Sequence, residues 1–155
     1  NENYNEKEFN ELLTMALNFF DSTELNIAID KIMESSDRYR KIASICTPLF
    51  EFAKAGNEIA ISIVQQGSQH IADMIILLCD QISYTNDELI LIANGGIINN
   101  TFFRKSLANA LSFDFKSIKW LFPTISSAYY PGLMSAKILG IKINVNDIIR
   151  GDNEE

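Results

Sequence analysis

Side chains able to move protons or hold metals are scarce in this chain of 155 residues. His70 is the only histidine, and its position between Gln69 and Asp73 suits a helix surface better than a catalytic base. Asp73 and Asp80 would stand about 10.5 Å apart along a helix, too far for a tight acid–base couple. Cys46 and Cys79 are widely separated, with no C-x-x-C pair and no Cys/His cluster. They read as two reduced structural thiols, not as a disulfide framework or a zinc site. Trp120, Phe122 and Tyr129-Tyr130 have the faces to stack on a base or a sugar, although core and rim packing is the commoner use of aromatics.

What remains is a backbone feature. In "LILIANGGIINNTFF", Leu89 to Phe103, an apolar run stops at Asn94, two glycines follow, and two asparagines precede a helical pattern. A buried strand, a Gly-Gly turn and a helix start form a standard ligand site in parallel α/β sheets, where ligands sit beyond strand carboxyl ends. The helix start near Asn100 would offer free N–H groups and a partial positive charge. The motif is neither G-x-G-x-x-G nor a lysine-bearing phosphate loop, so a plain turn and a ligand loop both stay open.

The elements that must position this loop are legible from periodicity. Phe9, Leu12, Leu13, Ala16, Leu17 and Phe20 predict one amphipathic helix. Asp21 to Glu24 supply cap chemistry for a second, with Leu25, Ala28, Ile29 and Ile32. Ser35, Ser36 and Asp37 cap a third, with Tyr39, Ile42, Ile45 and Cys46 inward. Pro48 predicts an end at Thr47 and a restart. Gly56 suits a helix stop and Asn57 the cap of the next helix. That spine helix runs from Asn57 to about Ile82, roughly 39 Å, with Ala60, Ile63, Val64, Gly67, Ile71, Met74, Ile75 and Leu78 as its apolar stripe.

Beyond residue 84 the period changes. "ELILIA" predicts a strand buried on both faces, and a helix from about Asn100 to Leu111 follows. "SIKWLFP" predicts a second strand ending at Pro123, and a last helix spans roughly Ser126 to Leu139. The closing "RGDNEE" reads as a frayed polar end. Two strands alone would leave sheet edges in need of cover.

Three stretches together carry a family resemblance: "IASICTPLFEFAKAGNEIAISIVQQGSQHIADMI", "ELILIANGGIINNTFFRKSLANAL" and "SSAYYPGLMSAKILG". From about Phe9 to Gly140 the chain resembles the C-terminal half of the BadF/BadG/BcrA/BcrD-type ATPases, which include the N-acetylglucosamine kinases. These belong with actin, heat-shock ATPases and sugar kinases. The resemblance implies an α/β fold: a helix-rich ribonuclease-H-like lobe of the actin-like ATPase fold with a small sheet, cut from a two-lobed protein. Residues 1–140 would form the lobe, helical over 1–84 and strand–helix–strand–helix over 85–140, with 141–155 as a tail. Gly95, Gly96 and Ile97 inherit a nucleotide-contact role from the family's "GGV" loop, with Asn94 and Asn99 as weaker candidates. Ala53, with Gly56 behind it, falls on the adenine side.

Departures matter as much. Asn57 stands where the family commonly has Asp, and Pro131-Gly132 replaces a Gly-Ala-like pair. The family's "DGGGT"-like phosphate loop, its second glycine-rich loop and its catalytic aspartate have no counterpart, and the chain does not begin with Met. The expectation is therefore a lobe holding the adenosine side of ATP, inactive alone, with Mg bound mainly by the absent N-terminal lobe. The whole protein would be a cytoplasmic kinase of an amino sugar such as N-acetylglucosamine or N-acetylmuramic acid, possible as a homodimer. An activator-type ATPase for a dehydratase or reductase is the first alternative, but that group brings iron–sulfur cysteines, and Cys46 and Cys79 suit packing. A non-enzymatic helical interaction module is the second, and it requires "LILIA" to be helix.

Composition narrows the partners. A net charge of −7 and a pI near 4.7 argue against a nucleic-acid surface, which concentrates Lys and Arg. No basic amphipathic helix suggests a membrane surface, and no apolar run is long enough to span one. At 47% hydrophobic and 21% charged, the chain can bury one ordinary core. Its richness in Asn, Ile and Lys hints at an AT-rich bacterial genome.

Overall fold

The computed structural model describes residues 5–125, 129–144 and 149–151. Helices come first: α1 Glu6–Phe19, α2 Leu25–Met33, α3 Arg38–Ser44, α4 Cys46–Lys54 and the long α5 Glu58–Gln81. Then follow β1 Glu88–Ile92, α6 Thr101–Leu111, β2 Ser117–Pro123, α7 Tyr130–Ile138 and β3 Ile149–Gly151. The fold is α/β and helix-rich. β1 and β2 are parallel, pairing Leu89 with Ile118 and Leu91 with Trp120. The "LILIA" segment is thus strand, against the helical-module alternative.

Local chemistry explains the boundaries around the spine. Gly56, at φ +93°, terminates α4 in a left-handed conformation. Its N–H donates to Ala53 O at 3.1 Å, and Asn57 N–H donates to Phe52 O at 3.1 Å, the paired bonds of a Schellman stop. Asn57 then caps α5, its Oδ1 accepting from Ala60 N–H at 2.9 Å. Its Nδ2 donates to Glu8 O at 3.1 Å, while Glu8 Oε2 accepts from Glu58 N–H at 3.0 Å. One asparagine and one glutamate therefore satisfy the start of α5 and fasten α1 to it. At Pro48 the break falls earlier than the sequence suggests. Ile45 separates α3 from α4, and the proline sits in the first turn of α4, where its missing N–H costs nothing.

The core is one cluster built from α4, α5, α6, β1 and β2. Phe50, Val64, Leu89, Phe103, Leu107, Leu111, Phe115 and Trp120 are its larger members. Trp120 is thus a core residue rather than a stacking platform. Three expectations about packing need correction. The stripe of α5 that is buried consists of Ala60, Val64, Ser68, Ala72 and Cys79, while Ile63, Met74 and Leu78 are exposed. Small side chains let α6 approach closely, and the hydroxyls of Ser68 and Ser106 meet across that contact at 2.7 Å. Next, β1 is covered on one face only: Leu89 is buried, but Ile90 and Ile92 are 49% and 65% exposed. Finally, α1 carries no fully buried residue, and Phe9, Tyr39 and Ile42 face solvent.

Towards the end of the chain, residues 126–128 of the expected last helix lie outside the described residues, and α7 begins at Tyr130. Ile149–Gly151, which overlaps the start of the end expected to fray, pairs antiparallel with β2, with Ile149 opposite Pro123 and Gly151 opposite Leu121. This third strand covers an edge of β2 that a two-stranded sheet would leave open.

Candidate functional site

The glycine pair sits where the parallel ladder ends. Ala93 N–H still donates to Leu121 O at 2.8 Å, after which the chain leaves the sheet. Gly95 takes φ +118°, a conformation that side chains disfavour. A compact turn follows, closed by Asn99 N–H to Gly95 O at 3.2 Å and Asn100 N–H to Ile97 O at 3.0 Å. Arg104 braces it from α6: Nη1 donates to Ile98 O at 3.1 Å and to Asn99 O at 2.9 Å. The guanidinium also lies over the Phe122 ring, 4.9 Å from its centroid. Arg104 is thus engaged in holding the loop itself.

This turn forms one wall of a cavity of about 450 Å³, a size within the range of small-molecule sites. Cys46, Thr47 and Phe50 of α4 form the opposite wall, with Ile71 of α5 and Phe103 of α6 between them. The Phe50 and Phe103 rings are 6.0 Å apart and tilted by 54°. None of its lining residues carries a charge; their polar side chains are Asn94, Asn100, Thr47 and the Cys46 thiol. A wider depression of about 870 Å³ runs along α1 past Lys7, Glu11 and Thr14. It is the solvated flank of a single helix with Phe52 beside it, and no converging groups close it.

The helix start near Asn100 does not offer the free donors expected of it. Asn100 Oδ1 accepts from Phe102 N–H at 2.9 Å and from Phe103 N–H at 3.3 Å. A self-capped helix of this kind has little left for an anion, and the cavity favours a neutral, flat, partly polar group. Asn100→Ala is expected to cost about 1 kcal/mol of stability, measured as a lowered urea midpoint with unchanged slope.

Of the residues singled out from sequence, Gly95, Gly96 and Ile97 line the cavity, together with Asn94. Asn99 closes the turn through its N–H instead. Ala53 is only 2% exposed and lies in the core one turn beyond Phe50, so the α4 residues with surface in the cavity are Cys46, Thr47 and Phe50. Sequence reasoning missed those three, although "CTPLF" holds a signal: positions 46, 47 and 50 share one face of a helix begun just before Pro48. His70 and Asp73 are exposed on α5, Asp73 accepting from Gln69 Nε2 at 2.8 Å. Among the described residues no group of three or more metal ligands converges. With no carboxylate in the cavity, these residues do not fit a magnesium ion, which takes carboxylate and phosphate oxygens.

Burial pushes the Cys46 thiol above its ordinary value of 9.0. Burial, and then the neighbouring Asp80, pushes Cys79 the same way. Both are therefore protonated and weakly nucleophilic at neutral pH. Iodoacetamide should alkylate Cys46 slowly at neutral pH, about tenfold faster per pH unit as the thiolate fraction grows, with rates read by mass spectrometry. The sign for stability follows: above 9.0 the unfolded chain loses these protons first, so the fold weakens as pH rises.

No family model, no curated protein and no solved structure matches this chain. Among the described residues no helix is long and apolar enough to cross a membrane.

Proposed function

We propose that the cavity beneath Gly95 and Gly96 receives the nucleoside part of a nucleotide, and that this chain is the nucleoside-side lobe of an ATP-dependent amino-sugar kinase. The observation that carries the reading is an uncharged cavity, floored by Phe50 and Phe103, at the carboxyl end of a parallel strand. Purine rings are flat, apolar on their faces and polar at their edges. Phe50, Phe103, Ile71 and Ile97 suit the faces, while Asn94 and Thr47 suit the edge. The glycines allow sugar and backbone to approach without a side chain between them.

Phosphoryl transfer needs charge around the phosphates and a base at the acceptor hydroxyl. The groups lining this cavity supply neither, so in this reading the chain binds and orients while the phosphate loops, the magnesium and the catalytic aspartate belong to a second lobe. Cytoplasmic location and an amino-sugar acceptor such as N-acetylglucosamine or N-acetylmuramic acid are parts of the same proposal. They rest on the family resemblance of the "NGG" loop and the segments around it.

The test is ADP formation by the full-length gene product, with and without a panel of amino sugars. The reading expects strong stimulation by one acetylated amino sugar. Slow hydrolysis indifferent to sugars would favour the activator-type ATPase, and no nucleotide turnover under any condition would remove the kinase reading.

A further inference from the structure

Three successive carbonyls at the end of the glycine loop converge on one residue. Ile98 O and Asn99 O accept from Arg104 Nη1 at 3.1 and 2.9 Å, and Asn100 O accepts from the Arg104 backbone N–H at 3.0 Å. The third bond is the ordinary first bond of α6. The other two turn a helix side chain back onto the chain that precedes its own helix. The guanidinium, half-buried, also lies over the Phe122 ring on β2. One residue therefore joins the loop, α6 and the sheet.

The loop needs such a hold. Asn94, Gly95, Gly96 and Ile97 are all exposed, so no buried side chain anchors the glycine pair. Two adjacent glycines leave the backbone freer than any other pair, and the φ of +118° at Gly95 is one of several conformations open to it. The N–H groups of Asn99 and Asn100 close the turn on itself. Only the carbonyl side ties it to α6 and β2, and that side is taken by Arg104.

We propose that Arg104 is the positioning residue of the glycine loop: through Ile98 O and Asn99 O it holds the loop in the form that walls the cavity, and Phe122 is the platform that aims it. For its ligand the inference rests on the nucleoside reading; for its geometry it does not. A guanidinium suits the task because it can lie on a ring while donating at its edge, and it keeps its charge at any physiological pH. Arg104 is not among the residues lining the cavity, so it acts through the loop alone. If the competent loop form falls to about one tenth of the molecules, affinity falls about tenfold with every ligand contact intact.

The test compares Arg104→Met, which keeps the apolar stem and removes the donors, with Arg104→Lys and Phe122→Leu. By isothermal titration Arg104→Met should bind adenosine about tenfold more weakly, with little change in thermal midpoint, because the freed carbonyls lie near enough to the surface to turn to water. Arg104→Lys keeps a donor but loses the flat contact with the ring, and Phe122→Leu keeps the donors but loses the platform, so each should lose only about threefold. Without any ligand, hydrogen exchange of the Asn99 and Asn100 amides should speed up in Arg104→Met. A wild-type chain that ignores adenosine, with exchange still faster in Arg104→Met, would remove the nucleoside reading and leave the positioning role standing. Unchanged exchange at Asn99 and Asn100, or unchanged adenosine affinity in Arg104→Met beside a wild type that binds, would overturn the proposal. So would a fall in thermal midpoint that accounts for the whole loss, with Arg104→Lys no better than Arg104→Met.

Discussion

Leu107→Ala is expected to lower unfolding stability by about 3 kcal/mol, within the roughly 2–5 kcal/mol range of buried leucine truncations. Leu107 is 1% exposed on the inner face of α6, between the sheet and α5, and Leu111 one turn later is fully buried. Removing its isobutyl group leaves a void walled by packed neighbours that cannot all collapse into it. Domains of this size hold roughly 5–15 kcal/mol in total, and here many large apolar residues lie on the surface. The loss should therefore take a substantial share of the whole and lower the urea midpoint while leaving the slope unchanged. Phe113→Ala is the matched control: that ring is 97% exposed, and its removal should change stability by less than about 0.5 kcal/mol. Equal effects at the two positions would mean that the core is not where α6 meets the sheet.

The second large effect is expected at the loop. Gly95→Val should weaken nucleoside binding about tenfold to a hundredfold, because valine at φ +118° carries about 1–3 kcal/mol of backbone strain. The loop relieves that strain by leaving the cavity wall. Space is not the cause, since a Cβ at Gly95 meets nothing within 4 Å. The neighbouring glycine supplies the contrast. Gly96 has no left-handed φ and an equally open Cβ position, so Gly96→Ala should leave the fold intact and disturb binding only slightly. Isothermal titration with adenosine reads both. Comparable losses at the two glycines would mean that the side chain, and not the conformation, is what the site excludes.

How far the fold was legible depends on what each signal reports. The ends of α5 were readable because Gly56, Asn57 and Glu58 act locally, within a few residues of the bonds they make. Which side of α5 faces inward was not. A helix with Ile63, Met74 and Leu78 on one side and Ala60, Val64, Ala72 and Cys79 on another has two apolar faces. The bulkier face invites selection, yet close packing against α6 takes the smaller one. The branched run in β1 suggests two covered faces, but which faces are covered is decided by neighbours far along the chain.

The site divides in the same way. The turn at Gly95 and Gly96 was legible because a strand that stops at a glycine pair constrains its own backbone, whereas a contact role for Gly95, Gly96 and Ile97 followed only from the family resemblance. Cys46, Thr47 and Phe50 were not, because they reach the loop only through the packing of α4 on α5. The free N–H groups expected at the helix start were lost to a single side chain, Asn100, that lies within the very motif.

The most direct test of the nucleoside cavity is a titration of the isotope-labelled chain with adenosine, ATP and inorganic triphosphate, followed by NMR amide shifts. The account predicts that adenosine and ATP shift the same amides, at Thr47, Asn94, Gly95, Gly96 and Ile97, with similar affinities, while triphosphate shifts none of them. Binding driven by triphosphate, or adenosine shifts confined to residues away from this loop, would contradict it.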